Sequence, residues 1–503
     1  MREDSTSISS NSFLLRLHRF RAFEDSGNCR IAPLTCLVGR NSSGKSSILT
    51  ALLLLKQSID RISMGAKTTP LALHGQYCDL GNYYDVVYGH DEEKHIGFDF
   101  TLPMSALQTL VHPRSGPIVR LDLPENVSGR RSPSRFRLQE RLTKLPAQGN
   151  ISVSLEFKTD EPFGPSLSRL EIKAAGIGSV NFVRTEGEER KVHWRAYAIE
   201  LPARSIEVTF SGYSFFPFVS QRQSSYRAAA PRTKERINRF VTATRALFEL
   251  LGSMLGKIEH VGPFRTPPER RYIFSGFAAS RSGTTGEQAV ELLIAETLLK
   301  APKDRTLNRA VSFWLAHLGL AKRLSIESIA KQSNLFELTL YRAGVFTTAN
   351  FADVGFGISQ ILPVLVQGML MSPGSIYIVQ QPELHLHPDA QAALVDFFIY
   401  LNAHGVTTLV ETHSEYFLVR LRRRLAEGVR PLTLGIPSET KWTSKALSVD
   451  AVSVLLTRTE RNHGASVSEL HIGQGFQFEN LPAGFMNQSV EDRLHLLKAL
   501  RKH

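Results

Sequence analysis

The alternation of apolar and polar residues along the chain changes period several times, and each change marks an element. From Phe13 the run F-L-L-R-L-H-R-F alternates and predicts a strand. Leu34 to Val38 is a short apolar run of strand length, and Ile48 to Leu55 is a longer apolar run that suits a buried helix. Between about 95 and 225, segments such as H95-I-G-F-D-F, N150-I-S-V-S-L-E-F, L170-E-I-K, V192-H-W-R-A-Y-A-I-E-L and I206-E-V-T-F keep a period of two. They predict an antiparallel β region with one packed face; within it, the basic, proline-interrupted R130-R-S-P-S-R-F-R-L reads as an exposed loop. Near residue 233 the period lengthens. Ile237, Phe240, Val241, Thr244, Leu247, Phe248, Leu251, Met254, Leu255 and Ile258 recur at three- and four-residue steps, a long amphipathic helix with Thr233 as its expected N-cap. Glu287 to Leu299 predicts a second helix. Two apolar strands follow, I376-Y-I-V and V406-T-T-L-V, and then a helix capped by Ser414 that stops at Gly428.

The junction between the Leu34–Val38 strand and the Ile48–Leu55 helix carries the strongest chemistry. It reads Gly39-Arg40-Asn41-Ser42-Ser43-Gly44-Lys45-Ser46-Ser47, a complete GxxxxGK[ST] phosphate-binding loop in its required setting of strand, glycine-rich turn and helix. Such a loop turns backbone N–H groups toward phosphates, and the helix N-terminus adds its positive dipole end. Lys45 is expected to reach the β- and γ-phosphates of ATP, and Ser46 the accompanying Mg²⁺.

Three later stretches fit the second half of an ATP site. In F351-A-D-V-G-F-G-I-S-Q, Gly357 and Ser359 precede an apolar run and can open a helix N-terminus, a natural anion site. In S375-I-Y-I-V-Q-Q-P-E-L-H-L-H-P, an apolar strand ends where a Walker-B acid would hold Mg²⁺ and its water. In V406-T-T-L-V-E-T-H-S, a strand ends at His413, placed to sense the γ-phosphate. In this order and spacing, together with G262-P-F-R, the residues resemble the ABC-type AAA ATPases of the RecF/SMC and overcoming-lysogenization-defect group. That group includes ATPase subunits of anti-phage systems of the Septu and PARIS type. The tail V467-S-E-L-H-I-G-Q and F478-E-N-L-P-A-G-F resembles the short domain closing many such proteins.

The resemblance implies an α/β ABC-type P-loop ATPase head with an inserted antiparallel β region and a small C-terminal domain. It divides the chain at 13–90 (N-terminal lobe with the P-loop), 91–230 (β insertion), 231–335 (helical region), 336–430 (C-terminal lobe) and 431–503. It further implies a head-to-tail homodimer or higher assembly, with ATP between the loop of one copy and Gly357–Ser359 of the other.

One departure from the group concerns catalysis. Relatives carry an acid where this chain has Gln380, followed by Gln381, Pro382 and Glu383. An amide can occupy a carboxylate's place but cannot lend Mg²⁺ a charge or take a proton from water. Three explanations stand: Glu383 acts instead, hydrolysis is slow, or Gln380 is an engineered replacement of a glutamate, the preferred one because only that position is abnormal. The expected result is tight ATP binding with slow turnover, and faster turnover for Gln380→Glu; equal, brisk rates for the two would refute it.

His385-x-His387-x-Asp389 opens like a zinc HxHxDH motif, but Ala390 stands where the next histidine belongs, so these residues read as structural. About ninety residues follow His413 without an acidic cluster for nucleic-acid cleavage, which makes a nuclease effector a separate protein. Charge then narrows the partners. The 503-residue chain has a formal net charge of +13, which favours polyanions: DNA, a DNA-mimicking protein or another acidic partner. Arg420, Arg422, Arg423 and Arg424 read first as a solvated helix face, and second as a candidate DNA patch for a rival role, a DNA-clamping ATPase of repair or chromosome maintenance. Three cysteines are too few for a disulfide framework. No apolar run reaches membrane-spanning length, and the expected location is the cytoplasm.

Overall fold

A computed structural model describes residues 9, 11–63, 71–109, 145, 148–159, 164–186, 192–199, 201, 206–209, 216, 218–276, 280–330, 334–341, 348–428, 446–460 and 464–482. The basic stretch at 130–138, most of the first dozen residues and the tail beyond 482 lie outside them.

A 14-stranded sheet organises the described residues. Its strands are β1 (Phe13–Phe20), β2 (Phe23–Asp25), β3 (Cys29–Ile31), β4 (Leu34–Gly39), β5 (Ile96–Pro103), β6 (Asn150–Lys158), β7 (Ser166–Ala174), β8 (Gly178–Glu186) and β9 (Val192–Ile199) from the first half of the chain. After a small hairpin of β10 (Ile206–Thr209) and β11 (Phe218–Gln221), the sheet is completed by β12 (Ile258–Val261), β17 (Ile376–Gln380), β18 (Thr407–Glu411), β19 (Val452–Glu460) and β20 (Gly464–Glu469). One half is parallel: β12, β17, β18, β4 and β19 lie side by side in that order. The other half is antiparallel and runs β20, β2, β1, β5, β6, β7, β8, β9.

Both faces of the parallel half are covered, which is why β4, β17 and β18 are buried at nearly every position. Ile376, Ile378, Leu37 and Leu409 point into one core, where α1 (Lys45–Ser63) and α2 (Pro231–Gly256) pack. Cys36, Val38, Tyr377, Val379 and Val410 point into the other. That second core is built by α3 (Ala289–Leu299), α4 (Thr306–His317), α5 (Phe356–Leu370), α6 (Pro388–Ala403) and α7 (Glu415–Glu427). In the antiparallel half only one face is packed. β6 alternates strictly between buried and partly exposed positions, and α2 covers its apolar side through Ile237, Phe240 and Leu247.

Several expectations change here. The boundaries drawn at 91 and 431 mark stretches of sequence, because β5 pairs with β1 and β19 pairs in parallel with the loop strand β4. The region expected to be helical, 231–335, also supplies β12 to the main sheet. It contributes as well to a 4-stranded antiparallel sheet of β13 (Tyr272–Ile273), β14 (Arg323–Ser328), β15 (Leu335–Tyr341) and β16 (Thr348–Asn350). The long helix starts at Pro231 with Ala230 as N-cap, two residues before Thr233, because proline at the first helical position has no N–H to satisfy. No helix among the described residues is long and apolar enough to cross a membrane.

Candidate nucleotide site

The phosphate-binding loop leaves β4 at Gly39 and enters α1 at Lys45, at the C-terminal edge of the parallel strands. Gly39 has φ +146°, and a Cβ there would meet the carbonyl and hydroxyl oxygens of Thr457 at 2.5 Å, so β19 admits only glycine beside it. Thr457 supports the loop from below. Its hydroxyl donates to the Val38 carbonyl at 3.3 Å and lies 2.5 Å from the Ser43 hydroxyl, which in turn donates to the Arg40 carbonyl. Arg40, Asn41, Ser42 and Ser46 are exposed, while Ser43, Lys45 and Ser47 are buried. Lys45 Nζ donates to the carbonyls of Gly39 (3.1 Å) and Arg40 (2.7 Å), folding the ammonium back over the loop. Burial lowers its pKa and the Glu411 carboxylate opposes that shift, so the ammonium sits beside an anion.

The next strand brings that anion to the loop. Glu411, the last residue of β18, accepts from the Ser46 hydroxyl at 3.1 and 3.3 Å through its two oxygens. Gln380, the last residue of β17, donates its Nε2 to Glu411 at 2.8 Å, and its Oε1 lies 3.0 Å from His260 Nε2 on β12. Arg265 donates to the Gln380 backbone carbonyl at 2.7 Å. Lys45, Ser46, Gln380 and Glu411 thus converge from three adjacent strands. Glu411, Thr457 and His260 were missed as site residues. The available signal for Glu411 was an acid ending an apolar strand immediately before T412-H-S.

Two sequence candidates are placed differently. Glu383 is buried beneath the site, where Oε1 accepts from the backbone N–H of His413 at 2.6 Å. It clamps the turn after β17 to the turn after β18 and does not face the loop. Burial pushes its carboxyl above the ordinary 4.5, against the opposing pull of the His413 amide. A carboxyl raised in the folded state contributes stability below its unfolded pKa and loses it as pH rises through the folded value. Wild-type stability relative to Glu383→Gln is therefore expected to fall as pH rises above the ordinary carboxyl value of 4.5, read by urea denaturation at each pH. A difference that stays constant contradicts the burial argument.

Ser359 is the other. It is 2 % exposed and donates to the Phe356 carbonyl of its own first turn at 2.9 Å. What the head of α5 shows to solvent is Phe356, 68 % exposed, above a helix start that no side chain caps. Gly357 fits because a Cβ there would lie 2.7 Å from the His385 carbonyl. Among the described residues, neither Gly357 nor Ser359 hydrogen-bonds to the loop of the same chain. His413 is exposed; partial burial and the Lys45 charge lower its pKa, against the pull of Glu411.

Nearby, His387 caps α6 by accepting from the Asp389 N–H, and among the described residues no group of three or more His, Cys, Asp or Glu side chains is placed to hold a metal ion. Three of the α7 arginines hold acidic or backbone partners, Arg423 at the surface. Arg424 forms a two-pronged pair with Asp396 (2.6 and 2.8 Å), Arg422 donates to the Phe476 carbonyl and to Gln477, and Arg423 pairs with Glu427.

Residues 219–420, two-fifths of the chain, match the family model described as AAA domain, putative AbiEii toxin, Type IV TA system. No curated protein matches. Among solved structures, an SMC head bound to the C-winged helix domain of ScpA is similar at 10 % identity and TM-score 0.38, covering 92 % of this chain and 98 % of that one. The Smc head with an extended coiled coil bound to the C-terminal domain of ScpA, derived from Pyrococcus furiosus, has 10 % identity and TM-score 0.36, covering 97 % and 98 %. The SMC head domain from Thermotoga maritima has 10 % identity and TM-score 0.34, covering 91 % and 98 %. The loop and the parallel strands on either side of it make this an α/β P-loop fold, and the match over two-fifths of the chain is to an AAA domain.

Proposed function

We propose that the chain is an ATP-binding switch in which two copies close head to tail on nucleotide, and the closed state controls a separate effector in bacterial anti-phage defence. The observation that carries this reading is the convergence of Lys45, Ser46, Gln380 and Glu411 on one point at the strand edge. An ammonium, a hydroxyl and a carboxylate gathered at a glycine loop fit a nucleotide phosphate and a hard divalent cation, since every donor available to the metal is oxygen. Lys45 and the loop amides would hold the β- and γ-phosphates. Ser46, with the Gln380–Glu411 pair beside it, would hold the Mg²⁺, which when bound neutralises phosphate charge. His413 stands at the rim to sense the γ-phosphate, and the uncapped head of α5 at Gly357–Ser359 offers the other copy's phosphate a helix N-terminus.

The exposed aromatic rings suit a face that meets another copy. Phe356 heads α5, and Phe264, 86 % exposed, adjoins the Arg265 that grips β17. Hydrolysis is slow in this reading, because Gln380 and Gln381 cannot accept a proton from water and Glu383 is turned into the core. The description of the matching model, a putative toxin of a TA system, agrees with a role in cellular conflict. The formal charge of +13 keeps a DNA-clamping role as the second reading. The test is to purify the protein together with the product of its neighbouring gene, with and without ATP, and weigh the complexes. ATP-dependent retention of an effector supports the switch. Salt-sensitive DNA binding by the ATP form, with no effector retained, supports the clamp instead.

A further inference from the structure

Strand β17 presents two amides, Gln380 and Gln381, at the position where an acid would face the cation. A carboxylate is nevertheless present, one strand closer to the loop. Glu411 is 4 % exposed, and its oxygens accept from Ser46 (3.1 and 3.3 Å) and from Gln380 Nε2 (2.8 Å). The Gln380 amide is oriented from behind. Its Oε1 accepts from Nε2–H of His260, a ring held neutral by burial, which leaves the amide nitrogen aimed at Glu411. The chain of donors runs His260 to Gln380 to Glu411, with Ser46 donating from the other side. The amide nitrogen is a donor and complements the Glu411 carboxylate, which only accepts.

We propose that Glu411 supplies the anionic ligand of the divalent cation beside Ser46, and that Gln380 is a positioning residue that aims it. This rests on the nucleotide-binding reading above and adds to it the source of the missing charge. The donor set is a hydroxyl and a carboxylate, the hard oxygens that Mg²⁺ selects. The assignment also separates two properties that one Walker-B acid would combine: cation binding can be intact here while the group that activates water is absent.

The test uses the full-length protein and a fluorescent ATP analogue, titrated in excess EDTA and in excess Mg²⁺, with bound Mn²⁺ followed by electron paramagnetic resonance. Wild type is expected to bind the nucleotide about tenfold or more tighter with Mg²⁺ than in EDTA. Glu411→Gln is expected to lose the Mg²⁺ increment, read as the ratio of its own affinities in Mg²⁺ and in EDTA, together with the Mn²⁺ signal. Gln380→Ala, which leaves the carboxylate unaimed, is expected to reduce the same ratio about threefold or more. If Glu411→Gln does not fold, Glu411→Asp decides, with an increment cut about fivefold expected. A full Mg²⁺ increment in the folded Glu411 variant overturns the assignment, and an unchanged increment in Gln380→Ala overturns the positioning role. Wild type that binds no nucleotide with or without Mg²⁺ overturns the nucleotide reading and this assignment with it, whereas the first result overturns the assignment alone.

Discussion

Lys45→Ala is expected to weaken ATP binding about a hundredfold or more while leaving the fold intact, as measured by calorimetric titration of the purified protein. The ammonium is the only side-chain cation that the loop itself brings over its own carbonyls, donating to Gly39 and Arg40. Hydrogen bonds to charged partners are worth roughly 1.5–3 kcal/mol each, and an ammonium between two phosphates makes at least two of them. The fold does not depend on this side chain to the same degree. Thr457, Ser43 and the Val38 carbonyl brace the loop from the other side and remain in place. Retained affinity in a folded Lys45→Ala protein would mean that the loop is not where the phosphates sit.

The second large effect concerns stability. Arg424→Ala is expected to destabilise the protein by roughly 1–3 kcal/mol, the cost of removing a charged hydrogen-bond partner from Asp396 while His317 stays. Asp396 is 5 % exposed and receives both prongs of the Arg424 guanidinium as well as His317 Nε2 at 2.9 Å. The pair ties α6 to α7, the helix that begins directly after His413. Denaturant unfolding of both proteins measures the loss. This outcome also separates two accounts of the arginine-rich helix: a DNA-facing patch would lose DNA affinity on this change with little loss of stability, and the structure predicts the reverse.

The phosphate-binding loop was legible because its chemistry is local. Nine consecutive residues carry the glycines, the lysine and the hydroxyl, and the flanking apolar runs identify the strand and the helix. The same holds for the cap of α7, where Ser414 accepts from the Phe417 N–H and Gly428 ends the helix with a left-handed backbone. Glu411 was not legible as part of the site, because its role depends on β18 lying between β17 and β4. That order sets Glu411 beside Ser46, far away in sequence. The partners of Arg422 and Arg424 were hidden for a related reason: Asp396 lies a helix earlier, and the Phe476 carbonyl belongs to a segment distant in sequence. The strands of the small sheet are short, and β14 alternates over only a few residues, so a helical neighbourhood hid them. Strand β19 is apolar from Val452 to Leu456 apart from Ser453 and is buried throughout that run, yet nothing in its own residues says that it will lie against β4. Period and spacing therefore reveal what neighbours in sequence do together. The pairing of distant strands decides which acid meets the loop.

The most direct test of the account is native mass spectrometry of the full-length protein after incubation with ATP and Mg²⁺ and removal of free nucleotide. The account predicts a species of two copies carrying two nucleotides, which is replaced by nucleotide-free protein when Lys45 is alanine. Protein that carries no nucleotide in either form, at a copy number unaffected by ATP, would contradict it.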